Sequence, residues 1–165
     1  MRRIHIVGRK NSGKTTLIRE LVAHYVSLGN RVGTIKHTHH EHELDVPGKD
    51  SYLHRQAGAE VVGILAANMQ AVFWDQSRAG KDVAPYARML EMFADCDLVL
   101  VEGDLEAAAT KVEVWRAANH AMPIALERRD IAAVISDDQA VLDCPLWARA
   151  DVAALSQHLL DLAVE

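Results

Sequence analysis

The chain has 165 residues, half of them hydrophobic by type and a quarter charged, a balance that excludes intrinsic disorder and low-complexity scaffolding and fits about one ordinary domain. Lys and Arg number 18 against 23 Asp and Glu, for a formal charge of −5, so there is no general electrostatic footprint for nucleic acid or for an anionic membrane. Two cysteines, Cys96 and Cys144, lie far apart without Cys-x-x-Cys spacing, which excludes a disulfide framework and a thiolate zinc site and points to a reducing, cytoplasmic compartment.

In chain order, Ile4 to Val7 reads as a first strand. Leu17, Leu21, Tyr25 and Leu28, with Ile18 and Val22, then recur at helical spacing from Lys14, and Gly29 stands where a left-handed C-terminal cap belongs. Arg31 to Lys36 is the second predicted strand, and His37 to Lys49 a polar loop. Asp50 or Ser51 is the expected cap of a short helix ended by Gly58. Val61 to Ala67 and Ala71 to Trp74, around Asn68-Met69-Gln70, predict a hairpin. From Asp82, Val83, Tyr86, Leu90 and Phe93 share a helical face, with Pro85 in the first turn. Leu98 to Val101 predicts a buried strand ending at Glu102-Gly103. Val112 to Trp115 and Ile131 to Ile135 predict two more, and a helix capped by Asp151 and faced by Val152, Leu155, Leu159 and Leu162 closes the chain. Strands alternating with helices predict an α/β fold of the P-loop NTPase type: a mostly parallel sheet flanked by helices, carrying an inserted antiparallel hairpin, in a single nucleotide-binding domain over 1–165.

Gly8-Arg9-Lys10-Asn11-Ser12-Gly13-Lys14-Thr15 satisfies G-x-x-x-x-G-K-[ST] between a predicted strand and a predicted helix. Unpaired amides and the helix macrodipole favour an anion at that junction. Gly8 and Gly13 let the backbone approach phosphate oxygens, with Asn11 and Ser12 between them. Lys14 places an ammonium near the β and γ phosphates, Thr15 offers a hydroxyl to Mg²⁺, and Thr16 adds a phosphate contact. Glu102, at the end of an apolar strand, is the candidate second metal ligand and catalytic carboxylate.

Four of the six residues from His37 to His42 are histidines, and Asp45 and Asp50 follow. Three readings stand side by side: a transition-metal site, a solvated loop, or a loop that reaches the nucleotide with His37, His39 and His40 as phosphate donors and Asp45 as a second catalytic carboxylate.

Lys36-His37-Thr38-His39-His40, Asp45-Val46-Pro47-Gly48-Lys49-Asp50-Ser51, Ala57-Gly58-Ala59, Glu102-Gly103 and Lys111-Val112-Glu113-Val114-Trp115-Arg116, following a phosphate loop, resemble the molybdopterin-guanine dinucleotide biosynthesis adaptor protein B family over about residues 4–138. The resemblance implies a homodimeric, GTP- and Mg²⁺-binding protein with weak GTPase activity. It would assist the guanylyltransferase that attaches GMP to molybdopterin, with molybdopterin or its guanine dinucleotide as a further partner and no nucleic acid or membrane involved. The family often continues Glu-Gly with an aromatic residue and a lysine, where this chain has Asp104-Leu105. No contiguous Asn-Lys-x-Asp guanine motif occurs. Asp137, in Ser136-Asp137-Asp138, is the candidate acceptor for guanine, with a turn or cap role as its alternative, and Thr110-Lys111-Val112-Glu113 is a loose analogue of the motif. A metal-delivery NTPase using the histidine loop and a small-molecule kinase are the competing functional classes.

Overall fold

The computed structural model describes residues 2–74 and 86–163. The chain forms two compact units, residues 1–38 with 90–165, and residues 39–89. In chain order the elements are β1 (Arg2–Val7), α1 (Lys14–Ser27), β2 (Val32–Lys36), α2 (Asp50–Gln56), β3 (Val61–Leu65), β4 (Gln70–Trp74), α3 (Ala87–Glu91), β5 (Leu98–Glu102), β6 (Lys111–Val114), β7 (Ile131–Ile135), β8 (Leu146–Trp147) and α4 (Val152–Leu162).

The first unit is built on a six-stranded sheet in the order β2-β5-β1-β6-β7-β8, every neighbouring pair parallel. This architecture is the expected P-loop NTPase-like α/β fold. The central strands are continuous apolar runs because both sheet faces are covered: Ile4, Ile6, Leu98, Leu100, Val112, Val114, Ala133 and Ile135 are all essentially inaccessible. Leu17, Leu21 and Tyr25 of α1 and Leu155 and Leu159 of α4 close the same core. Burying one such side chain contributes roughly 1.5–3 kcal/mol. The Tyr25 hydroxyl donates to the Ser156 carbonyl (2.7 Å), tying the two helices together. Asp151 Oδ1 accepts from the Ala154 amide (2.9 Å), the expected N-cap of α4, and Gly29 adopts the expected left-handed φ of 85° after α1.

Gly33 on β2 has a steric role. A Cβ there would lie 2.3 Å from Phe93 Cδ1 and 3.2 Å from Cys96 Sγ. Gly33→Ala is therefore expected to destabilise the chain by about 1–3 kcal/mol through overpacking, measured as a lower urea midpoint. Phe93→Leu should restore part of that loss. An equal loss in the Phe93→Leu background would show that the ring is not the obstacle.

The second unit contains the expected hairpin, β3 paired antiparallel with β4, in register Val61↔Trp74 to Leu65↔Gln70. Its turn is residues 66–69, closed by the Ala66 amide donating to the Met69 carbonyl (2.8 Å), so the first arm is two residues shorter than the apolar pattern suggested. Gly58, at φ 104°, ends α2 as expected. The cap expectation is corrected: Lys49 occupies the N-cap of α2 without a side-chain bond, Asp50 lies in the first turn, and the Ser51 hydroxyl donates to Asp45 Oδ1 (3.0 Å). Asp82, Val83 and Pro85 of the predicted third helix lie outside the described residues, and α3 is its described part. No helix among the described residues is long and apolar enough to cross a membrane.

Candidate functional site

The loop between β1 and α1 has the backbone that its glycines permit. Gly8 takes φ 139°, Asn11 φ 64° and Gly13 φ 97°, all positive. A Cβ on Gly8 would come within 2.4 Å of the Val114 carbonyl and 2.9 Å of Ser12 Oγ, so the loop is pressed against the end of β6 and tolerates no side chain at its first position. Ser12 is 2 % exposed, and its hydroxyl has no hydrogen-bond partner among the described residues. A buried orphan hydroxyl inside a glycine loop is a group awaiting an acceptor or donor, and a phosphate supplies the acceptor. The first backbone bond of α1 runs from the Leu17 amide to Gly13 (3.0 Å), which leaves the preceding turn of amides for an anion.

Lys14 extends over this loop. Its Nζ donates to the carbonyls of Gly8 (2.9 Å) and Arg9 (2.7 Å). Burial pushes its pKa down, Glu102 opposes that shift, and Lys36 adds to it. The Thr15 hydroxyl donates to Glu102 Oε1 at 2.8 Å, so the two expected metal ligands converge across the β1–β5 pair. Adjacent oxygens of an octahedral Mg²⁺ shell with bonds of about 2.1 Å are about 3 Å apart, so this pair fits two neighbouring positions of such a shell. Thr16 is exposed on the first turn of α1.

His37 follows β2 directly, and its amide donates to the Glu102 carbonyl (2.9 Å). Its Nε2 lies 4.0 Å from Asp104 Oδ2. Asp104 itself has φ 61°, which a short polar side chain tolerates. Behind this turn His5, fully buried on β1, places Nδ1 3.3 Å from the Gly103 carbonyl, and burial, reinforced by Arg3, holds its pKa below the ordinary value. A strand-end carboxylate, a histidine and a phosphate loop thus meet in one unit.

The other candidates are distributed differently. His39, His40 and Asp45 belong to the second unit. The Asp45 side chain is 5 % exposed and committed to internal contacts: its Oδ1 accepts from Ser51 and from the Val46 amide, and Arg55 Nε lies 3.8 Å from its Oδ2. Arg55 also pairs with Glu43 (2.5 Å) and sits over the rings of Tyr52 and Phe73, anchoring the end of the histidine loop. Among the described residues no group of three or more His, Cys, Asp or Glu side chains could hold a metal ion.

Asp137 Oδ1 accepts from the Ala150 amide (2.9 Å), and Asp138 Oδ2 from the Ala117 amide (2.8 Å). The analogue Lys111-Val112-Glu113 serves structure. Buried Lys111 binds Asp130 (3.0 Å), and both Glu113 carboxylate oxygens accept backbone amides, of Ile124 and Ala125 (2.9 Å each). Sequence reasoning missed Asn119, whose Nδ2 donates to the Lys10 carbonyl (3.4 Å), and Arg116. No local signal marks Asn119, whereas Arg116 is an exposed cation two residues beyond the end of β6.

The geometry agrees with the comparisons. The family model for molybdopterin guanine dinucleotide synthesis protein B, MobB, matches residues 3–137. The chain belongs to the MobB family. It is 33% identical over 152 residues to the molybdopterin-guanine dinucleotide biosynthesis adapter protein of Escherichia coli K12, covering 91% of this chain and 86% of that protein. The adapter protein of Haemophilus influenzae is 33% identical over 111 residues, 67% of this chain and 61% of its own length. Among solved structures, Bacillus subtilis MobB superposes with a TM-score of 0.73 at 25% identity over the whole of both chains. A MobB homolog from Bacillus stearothermophilus gives 0.66 at 26% identity over 98% of this chain and 97% of its own.

Proposed function

We propose that this MobB-family chain is a Mg-GTP-binding adapter in molybdopterin guanine dinucleotide synthesis, acting as a homodimer on the guanylyltransferase that joins GMP to molybdopterin. The observation that carries the nucleotide reading is the convergence of Thr15 and Glu102 at 2.8 Å beside a glycine loop with an orphaned serine hydroxyl. In this reading Gly8, Asn11, Ser12, Gly13, Lys14 and Thr16 cradle the phosphates, Thr15 and Glu102 hold Mg²⁺, and His37 faces the γ end. A bound Mg²⁺ would neutralise charge on the polyphosphate, and hydrolysis by water would be slow, since no arginine finger accompanies the loop among the described residues. The guanine preference and the named partner rest on family membership.

Calorimetric titration of the purified chain tests the reading. GTP is expected to bind with Mg²⁺ present and to lose most of its affinity in EDTA. Glu102→Gln should weaken Mg-GTP by about tenfold while leaving the metal-free affinity unchanged. Co-purification with the guanylyltransferase should depend on loading with GTP. Equal GTP affinity with and without Mg²⁺ in the wild type, or indifference to Glu102→Gln, would remove the metal assignment.

A further inference from the structure

The strand order dictates which way a nucleotide must lie. The Thr15–Glu102 pair is on the β5 side of β1, and in the Mg-GTP reading these two residues would hold the cation that neutralises the terminal phosphates, so the γ end would point toward β5. The nucleoside then extends to the opposite side of β1, over the ends of β6 and β7, about 5 and 10 Å away at ordinary strand spacing. Those ends form one rim with the phosphate loop. The Val114 carbonyl abuts Gly8, Asn119 holds Lys10, and Asp138 joins the β7 end to the Ala117 amide. Two groups on this rim remain available. The Arg116 side chain, two residues beyond β6, is exposed and makes no hydrogen bond or ion pair among the described residues, and Asp137, two residues beyond β7, uses only Oδ1 of its carboxylate. By contrast, the cleft of about 520 Å³ on the β5 side is lined mainly by aliphatic side chains such as Ile18, Val22, Ile35 and Leu100, with Glu102 committed to the cation.

We propose that Arg116 and Asp137 form the nucleoside end of the site, the Arg116 guanidinium lying along the face of the purine and Asp137 Oδ2 accepting hydrogens from guanine N1 and N2. This inference rests on the Mg-GTP reading above and adds the direction and the specificity of binding. A carboxylate discriminates because adenine presents a lone pair at N1 and no 2-amino group, so Asp137 would face an acceptor. Planar guanidinium suits the ring face for the same reason that it stacks on aromatic side chains.

Titration of the full chain in Mg²⁺ with GTP, XTP and ATP decides the matter. Asp137→Asn keeps an oxygen for the Ala150 amide and replaces the other acceptor by an amide donor, matched to the O2 of xanthine. It is expected to lower GTP affinity about tenfold to a hundredfold and to raise XTP affinity, reversing the order of the two. Arg116→Ala, whose side chain supports no contact of the fold, should lower GTP and XTP alike by about tenfold. An unchanged GTP-to-XTP ratio in Asp137→Asn, or unchanged affinities in Arg116→Ala, while Lys14→Ala abolishes binding, overturns this placement and leaves the phosphate-loop reading standing. Unchanged GTP affinity in Lys14→Ala overturns both.

Discussion

Replacing Lys14 by alanine is expected to lower affinity for Mg-GTP by about a hundredfold or more while the folded structure survives. The ammonium is the cation of the loop, and it lies over the carbonyls of Gly8 and Arg9, where the β and γ phosphates would take over as partners. Two charge-assisted hydrogen bonds at roughly 1.5–3 kcal/mol each account for at least that factor. The fold should tolerate the loss because the side chain supports only its own loop, and the first turn of α1 is held by backbone bonds and by Leu17, Ile18 and Leu21 in the core. Fluorescent-nucleotide titration reads the first effect and a thermal melt the second. Retained affinity would mean that the polyphosphate binds elsewhere, and a collapsed melt would make Lys14 a structural residue.

Truncating Glu113 to alanine should cost about 2–5 kcal/mol of stability. Glu113 is fully buried on β6, and its two oxygens satisfy the amides of Ile124 and Ala125, the start of the turn that leads toward β7. Alanine leaves both donors unpaired in a dry environment and opens a cavity. Glu113→Gln keeps the shape but sets an amide donor against one of the same amides, so an intermediate loss is expected. The pH dependence has a definite sign. Burial raises the folded pKa above the ordinary 4.5, and the two backbone bonds and Arg9 only partly oppose it. The folded chain therefore binds this proton more tightly than the unfolded one, and the group's contribution falls as pH rises above the ordinary glutamate range. The advantage of the wild type over Glu113→Gln, read from urea midpoints, should be greater at about pH 5 than at about pH 7.5. The reverse order would show that the backbone bonds outweigh burial.

Much of the phosphate end was legible because it is encoded locally. The spacing of Gly8, Gly13, Lys14 and Thr15, and a run of apolar residues stopped by Glu102, are contiguous patterns, and the positive φ at Gly8 and Gly13 follows from their lacking a Cβ. The caps at Gly29 and Asp151 were readable for the same reason. Other features were opaque. Two-residue β8 is too short to show periodicity, and Lys111 and Glu113 looked like motif remnants until Asp130 and the amides of residues 124 and 125 were found against them. Asp45 gave no sign that Ser51 and Arg55 would enclose it.

By itself, then, the sequence determined that a phosphate loop joins the first strand to the first helix, that a carboxylate ends a buried strand, and that a hairpin interrupts the parallel pattern. Tertiary structure alone decided that Glu102 lies beside Thr15, and that Arg116 and Asp137 lie on the opposite side of β1. Those relations depend on the order β2-β5-β1-β6-β7-β8, which joins strands up to 106 positions apart, as in His5↔Lys111. Hydrogen bonds between strands are made by backbone groups common to every residue, so no side-chain pattern names the partner. The choice falls to whichever packing buries the apolar faces of all strands and helices at once.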